Sequence, residues 1–179
     1  RAVYTSILEL TLVLGAVMLV NALISTDREK QHLRFLFSRP VVPWQYYLQH
    51  FVLSLGLFVA CFSLVPIGYS LLVVSVPVLP VLKVAAMYGF LIGSLAYLCG
   101  ALLNKDGILL VGVALISFTL QRAVQAGEMP RWAAVLADGL PPFLTAETLS
   151  SLWLAERAAT SGDIALVLLY ALGMLVAAL

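Results

Sequence analysis

The charged side chains of this sequence are concentrated in residues 25–43, between two long apolar runs. This stretch holds six of the nineteen charged residues of the chain, namely Asp27, Arg28, Glu29, Lys30, Arg34 and Arg39. The chain contains no phosphate-binding loop, no H-E-x-x-H zinc motif, no Cys-x-x-Cys pair and no G-x-S-x-G nucleophile motif. The chemistry expected of this stretch is therefore binding at a membrane surface or to another protein, and we do not expect the chain alone to be an enzyme or to hold a metal.

The connector is predicted to fold as a short helix over residues 26–39. Thr26 followed by Glu29 has the form of a capping box, and Pro40 stops the helix because proline lacks a donor N–H and disfavours helix in the residue before it. One face of this helix is apolar and carries Leu33, Leu36 and Phe37, whereas the rest is polar and carries Asp27, Lys30, Gln31 and Arg34. This pattern fits two alternatives equally well. The helix could lie flat on the membrane surface, or it could be a rod that docks in the groove of another protein.

The composition is that of an integral membrane protein. Of its 179 residues, 63% are hydrophobic and 11% are charged, with a mean hydropathy of +1.06, and the charged share is about half that of a soluble domain. The net charge of +1 gives no basis for a nucleic-acid partner. Since a membrane helix needs roughly 20 apolar residues, we predict an all-α polytopic protein with five spans, near residues 3–25, 44–74, 82–103, 107–121 and 164–179.

Positive charge sets the expected orientation, because cytoplasmic flanks of membrane helices are enriched in Lys and Arg. The connector is rich in Lys and Arg and is assigned to the cytoplasm. The net acidic region 122–163 is assigned to the other side, where Pro130 should open one short helix and Thr145 should cap a second. The chain begins with Arg1 and ends within an apolar run, so we expect it to be incomplete at both ends and to have six spans in full.

Within the apolar runs, polar or closely packed positions are the remaining candidates. Glu9 is the one candidate for a charge inside the membrane, which is costly in lipid and often functional, and Asn21 lies further along the same span. Ala85, Gly89 and Gly93 recur at intervals of four, a spacing that allows close helix approach. They could pack within one subunit or form a dimer interface.

Two segments of the connector resemble the corresponding element of type-2 ATP-binding-cassette (ABC) transporter permeases. These are residues 27–30, with the sequence DREK, and residues 35–46, with the sequence FLFSRPVVPWQY. The six-span layout, a Gly-rich fourth span and a polar outer region before the last span also agree with that family. The sequence departs from the family at Gln31 and His32, near which family members often have a glycine.

The resemblance implies that residues 1–179 form a single permease domain and that residues 27–38 are a coupling helix seated in a separate ATPase subunit. The residues it assigns to coupling are Asp27, Arg28, Glu29, Lys30, Leu33, Arg34, Leu36 and Phe37. It also implies a second permease copy or homologous permease, surrounding lipids, and a bacterial or archaeal cytoplasmic membrane. ATP and Mg²⁺ would be bound by the ATPase rather than by this chain, and the expected role is export of a lipophilic or amphipathic compound.

Two competing hypotheses need no ATPase partner. An ion-coupled carrier would depend on Glu9 and would keep its activity when the connector is disrupted. A purely structural membrane subunit would tolerate changes at both places.

Overall fold

A computed structural model describes residues 42–72, 78–102, 106–127 and 129–179, and these residues form helices and their connections without any β-strand. Six helices follow one another in this part of the chain. They are α1 (Pro43–Leu72), α2 (Val78–Leu102), α3 (Asp106–Gln125), α4 (Arg131–Asp138), α5 (Phe143–Leu154) and α6 (Ser161–Ala178). The predicted all-helical architecture is confirmed for these residues.

Three of the helices are long and apolar enough to cross a membrane. The qualifying stretches are Trp44–Leu64 of α1, Val78–Leu102 of α2 and Ser161–Ala178 of α6, and Leu110–Gln125 of α3 forms a shorter apolar helix. This arrangement is compatible with an integral membrane protein. The first predicted span and the predicted connector helix, residues 26–39, lie outside the described residues, so the number of spans stays a prediction.

Helix α2 is the centre of the bundle. In the most apolar 18-residue stretch of α2, 61% of the residues are buried inside the protein. The corresponding share is 11% in α1 and 22% in α6. Val84 and Leu91 of α2 are completely buried, and Val167 and Ala171 of α6 join the same core. In contrast, Leu53 of α1 is 72% exposed. An apolar side chain so exposed on an apolar helix is expected where the helix faces lipid rather than water.

Two helices, α2 and α5, begin at other residues than predicted. Proline and contacts with other helices determine where they begin. Helix α2 begins at Val78, not Leu82, and includes Pro80 in its first turn, where the missing N–H has no helical partner to lose. The prediction that Thr145 caps the second short helix is wrong, because α5 begins at Phe143 after Pro142. The amide of Leu144 is instead bonded by the side chain of Gln121 from α3, at 3.1 Å.

The short helix α4 is amphipathic and presents apolar side chains away from the bundle. Ala133 and Ala137 are buried, whereas Trp132, Val135 and Leu136 are exposed by 65%, 72% and 56%. Their spacing places these three on one helix face. Such a face suits a helix lying in the headgroup region of a bilayer.

Candidate functional site

The predicted functional residues fall into two groups. Glu9, Asn21 and the coupling residues 27–38 lie outside the described residues, and their roles stay predictions. The small residues of the third predicted span, Ala85, Gly89 and Gly93, lie on α2 and are buried. The two ends of the bundle supply the further polar and aromatic contacts that hold the helices in place. We call them the Pro43 end, where α1 begins and α6 ends, and the Leu72 end, where α1 ends and α6 begins.

The Pro43 end is held by an inter-helix group of aromatic side chains that we call the aromatic cluster, comprising Tyr47, Phe51, Phe90 and Tyr97. Phe51 is 3% exposed and makes edge-on ring contacts with Tyr97 at 5.1 Å and Phe90 at 5.9 Å between ring centroids. The Tyr97 hydroxyl donates a hydrogen bond to the Tyr47 carbonyl at 3.2 Å. Leu175 of α6 packs against the same group.

The aromatic cluster fixes the first turns of α1 to α2. Edge-on aromatic pairs contribute about 0.5–1.5 kcal/mol each beyond the area that they bury. The Tyr97 hydrogen bond fixes the position of α1 along the axis of α2. Because α1 begins at Pro43, directly after the predicted connector helix, the part of α1 nearest the connector is attached to the central helix.

The small residues of α2 allow α1 to approach it closely. A Cβ atom placed on Gly89 would lie 2.7 Å from Cδ1 of Phe58 and 3.0 Å from Cδ1 of Leu55, both on α1. Those separations are shorter than van der Waals contact. Gly89 therefore packs within the subunit, against α1, and the same helix face also buries Ala85 and Gly93.

At the Leu72 end, Gln121 of α3 holds the connection between the two short helices. Its side-chain amide nitrogen donates to the Pro141 carbonyl at 2.9 Å, and its amide oxygen accepts from the Leu144 N–H at 3.1 Å. A third and longer contact of 3.5 Å reaches the Ala137 carbonyl. One side chain thus bonds backbone groups at the end of α4 and at the start of α5, and it supplies the partner of the Leu144 N–H in the first turn of α5, where backbone donors have no helical acceptor.

An ion pair lies beside this connection. Arg122 Nη2 donates to Glu147 Oε1 at 2.8 Å, and the two side chains are 56% and 31% exposed. The guanidinium carbon of Arg122 also lies 4.3 Å from the centre of the Phe118 ring. Because exposed ion pairs contribute only about 0–1 kcal/mol, the Gln121 bonds contribute more to the position of α5 than this ion pair does.

A third link joins the short helices to α6. The Tyr170 hydroxyl donates to the Gly139 carbonyl at 2.6 Å, and Gly139 is the residue that ends α4. Together, Gln121 and Tyr170 attach the α4–α5 connection to two apolar helices. We call these two side chains and their backbone partners the polar clamp.

Replacing Gln121 with Leu should release the α4–α5 connection. The change leaves the Leu144 N–H without its partner and removes one of the two donors to the Pro141 carbonyl, which keeps the Phe143 N–H. A partly buried unpaired group costs about 1–3 kcal/mol. We expect amide hydrogen exchange of residues 139–146 to become at least about tenfold faster. Gln125→Leu is the matched control, because Gln125 is exposed near the end of the same helix. Equal exchange rates in the two variants would show that Gln121 does not hold this connection.

Ligands for a metal are not gathered in the part of the chain that the structure describes. No group of three or more His, Cys, Asp or Glu side chains lies close enough there to hold a metal ion. Cys61 is exposed and Cys99 is buried, and the two are not joined in a disulfide.

Sequence patterns alone did not identify Gln121, Tyr97 or Tyr170 as important. Gln121 was expected to lie at the end of the fourth predicted span and to make a helix-packing hydrogen bond, but the sequence did not indicate its partners. Its partners lie 20 and 23 residues further along the chain. A relation of that kind depends on the tertiary packing of α3 against α4 and α5, so no local spacing encodes it.

No known family model, curated protein sequence or solved structure matches this chain significantly.

Proposed function

We propose that this chain is the membrane-spanning subunit of a type-2 ABC transporter and that it exports a lipophilic or amphipathic compound. The observation that carries the proposal is the sequence of the connector, residues 27–46, which resembles the coupling element of that family. ATP and Mg²⁺ are bound by a separate ATPase subunit in this proposal, and the chain itself catalyses no reaction. The corresponding location is a bacterial or archaeal cytoplasmic membrane.

The order of the helices supports the proposal. Two short helices, α4 and α5, lie between the last two apolar helices, α3 and α6, in the place where the family layout has a polar outer region. The polar clamp attaches them to both of those helices through Gln121 and Tyr170. A pair of short helices fixed at the Leu72 end could close one side of a pathway in a permease.

The aromatic cluster supports a route for force from the connector into the membrane. In the proposed mechanism, ATP binding closes two ATPase subunits and moves the coupling helices seated in them. Glu29 and Arg28 make polar contacts with the ATPase, and Leu36 packs the apolar face of the coupling helix into its binding groove. Because Phe51 and Tyr97 hold the start of α1 on α2, the movement tilts these helices together rather than bending α1 alone.

The pathway in this proposal lies between two permeases, either two copies of this chain or this chain and a homologous one. The apolar faces of α1 and α6 provide surfaces for such a partner and for lipid. Leu53 on α1 and Leu169 on α6, for example, are 72% and 68% exposed. The small-residue stripe of α2 does not provide that surface, because it is buried against its own chain.

Purification of the full-length protein from its native membrane in mild detergent tests the proposal. The proposal predicts that a subunit with ATP-hydrolysing activity co-purifies with it in a fixed ratio. The absence of any ATP-hydrolysing protein, with the membrane protein itself intact, would contradict the proposal. The ion-coupled carrier would then become the better hypothesis, and Glu9→Gln would be expected to abolish its transport.

A further inference from the structure

A groove between four of the helices combines an apolar floor with one cation. It has a volume of about 360 Å³ and is bounded by side chains from α1, α2, α5 and α6, a volume within the range of small-molecule sites. Of its nine lining residues, Lys83 is the one that carries a charge. A membrane helix rarely carries an exposed cation at its side unless that cation reaches the headgroup region or a ligand.

The cation lies at one end of the groove. Lys83 is in the second turn of α2, near the Leu72 end, and Ile164 from the first turn of α6 lies beside it in the groove. Trp153 of α5 lines the same region. Lys and Trp are the side chains enriched where a membrane helix meets the headgroups, so this end of the groove lies at headgroup level.

The other end of the groove is apolar and lies deeper in the bilayer. Phe90 follows Lys83 by seven residues on the same helix, which corresponds to about 10 Å along the helix axis. Leu55 of α1 and Leu168 of α6 line this deeper part with it. The groove therefore changes from charged to apolar along its length, as the surface of a lipid changes from its headgroup to its acyl chain.

Lys83 makes no ion pair within the described part of the chain. The ion pair found there joins Arg122 and Glu147. Asp163 lies next to Ile164 in sequence, but its carboxylate does not pair with Lys83. The ammonium group is therefore available to a ligand of opposite charge, and a phosphate-bearing headgroup is the anion that a bilayer supplies at this depth.

We infer that this groove is a binding site for one bilayer lipid with an anionic headgroup. The acyl chain lies along Met87, Phe90 and Leu168, and the headgroup phosphate pairs with the Lys83 ammonium. The inference does not depend on the proposed transport function, since it requires only that α2 and α6 lie in a membrane. A second copy of the chain or another of its own segments could cover the same groove, and the experiment below distinguishes these occupants from a lipid.

The test uses full-length protein reconstituted in vesicles of phosphatidylglycerol and phosphatidylcholine, extracted in mild detergent and analysed by native mass spectrometry for retained lipid. Lys83→Gln should lower retention of phosphatidylglycerol about fivefold, as expected for one cation near an anionic headgroup, and should lower retention of phosphatidylcholine less, because the choline cation offsets the charge of its phosphate. Ala86→Phe, which places a ring in the groove, should lower retention of both lipids. Arg157→Gln removes an exposed cation elsewhere and should change neither.

Two results would overturn the inference. If Lys83→Gln retains as much phosphatidylglycerol as the intact protein does, the ammonium group does not hold the headgroup. If the intact protein retains no lipid that Ala86→Phe displaces, the groove is covered by another part of the chain or by a second copy.

Discussion

The double variant Glu29→Lys, Leu36→Asp is expected to lose its ATPase subunit while its membrane helices stay folded. Glu29 lies on the polar part of the predicted coupling helix, and reversing its charge places like charges together at the proposed contact. Removing one partner of a buried charged pair costs about 2–5 kcal/mol or more, and Leu36→Asp adds a carboxylate where an apolar side chain is expected to seat. Together they should weaken association at least about a hundredfold, since each 1.4 kcal/mol is tenfold.

Co-purification of ATP-hydrolysing activity measures this loss, and circular dichroism and monodispersity in detergent measure the fold. Added positive charge on the connector agrees with a cytoplasmic location, so the topology should not change. The matched control is Asp138→Lys, Leu136→Asp, which makes the same kinds of change on the short helix α4, where both side chains are exposed. Equal ATPase capture by the two double variants would contradict a coupling role for residues 27–38.

Gly89→Leu should destabilise the contact between α1 and α2 more than any other single change on α2 proposed here. A Cβ alone would meet Phe58 at 2.7 Å, and Phe58 is 3% exposed in the core, so its ring has little room to move. Overpacking a buried site costs about 1–3 kcal/mol and sometimes more, and a leucine adds three carbons beyond Cβ. We expect a loss of about 3 kcal/mol, measured by reversible unfolding in mixed detergent.

Gly173→Leu on α6 is the matched control, because a Cβ there has no neighbour within 4 Å. It should be neutral or slightly stabilising, since glycine within a helix is about 1 kcal/mol worse than alanine. Adding Phe58→Ala to Gly89→Leu should restore part of the lost stability, because the two side chains compete for one space. A loss of equal size in Gly89→Leu and Gly173→Leu would show that the α1–α2 contact is not close at Gly89.

The sequence predicted the apolar helices well, because the length and composition of an apolar run largely determine a membrane helix. The second predicted span, residues 44–74, corresponds to α1 (Pro43–Leu72), and the last, residues 164–179, to α6 (Ser161–Ala178). The shortness of the fourth span was also predicted, and α3 contains the shorter apolar helix Leu110–Gln125. The start of the short helix after Pro130 was also predicted, because proline acts locally as an N-terminal boundary.

The contacts between elements could not be predicted from the sequence. The start of α5 was misplaced by three residues, because its N-cap is Pro142 rather than Thr145 and its first turn is bonded by Gln121 from another helix. The spacing of the small residues on α2 did not indicate which helix packs against them. The structure shows that Phe58 of α1 lies against Gly89. Likewise, Lys83 and Trp153 are 70 residues apart in sequence and line one groove because α2 and α5 pack together. Side chains that pair across helices have no local spacing that reveals them.

Site-specific photo-cross-linking from the connector tests the central proposal most directly. A photoreactive amino acid would replace Gln31, on the polar part of the predicted coupling helix, in the full-length protein in its native membrane, and Arg157 in a control. The proposal predicts an adduct between position 31 and an ATP-hydrolysing subunit, with a yield that changes when ATP is added, and no such adduct from position 157. No ATPase adduct from position 31, or equal adducts from both positions, would contradict the proposal that this chain is an ABC transporter permease.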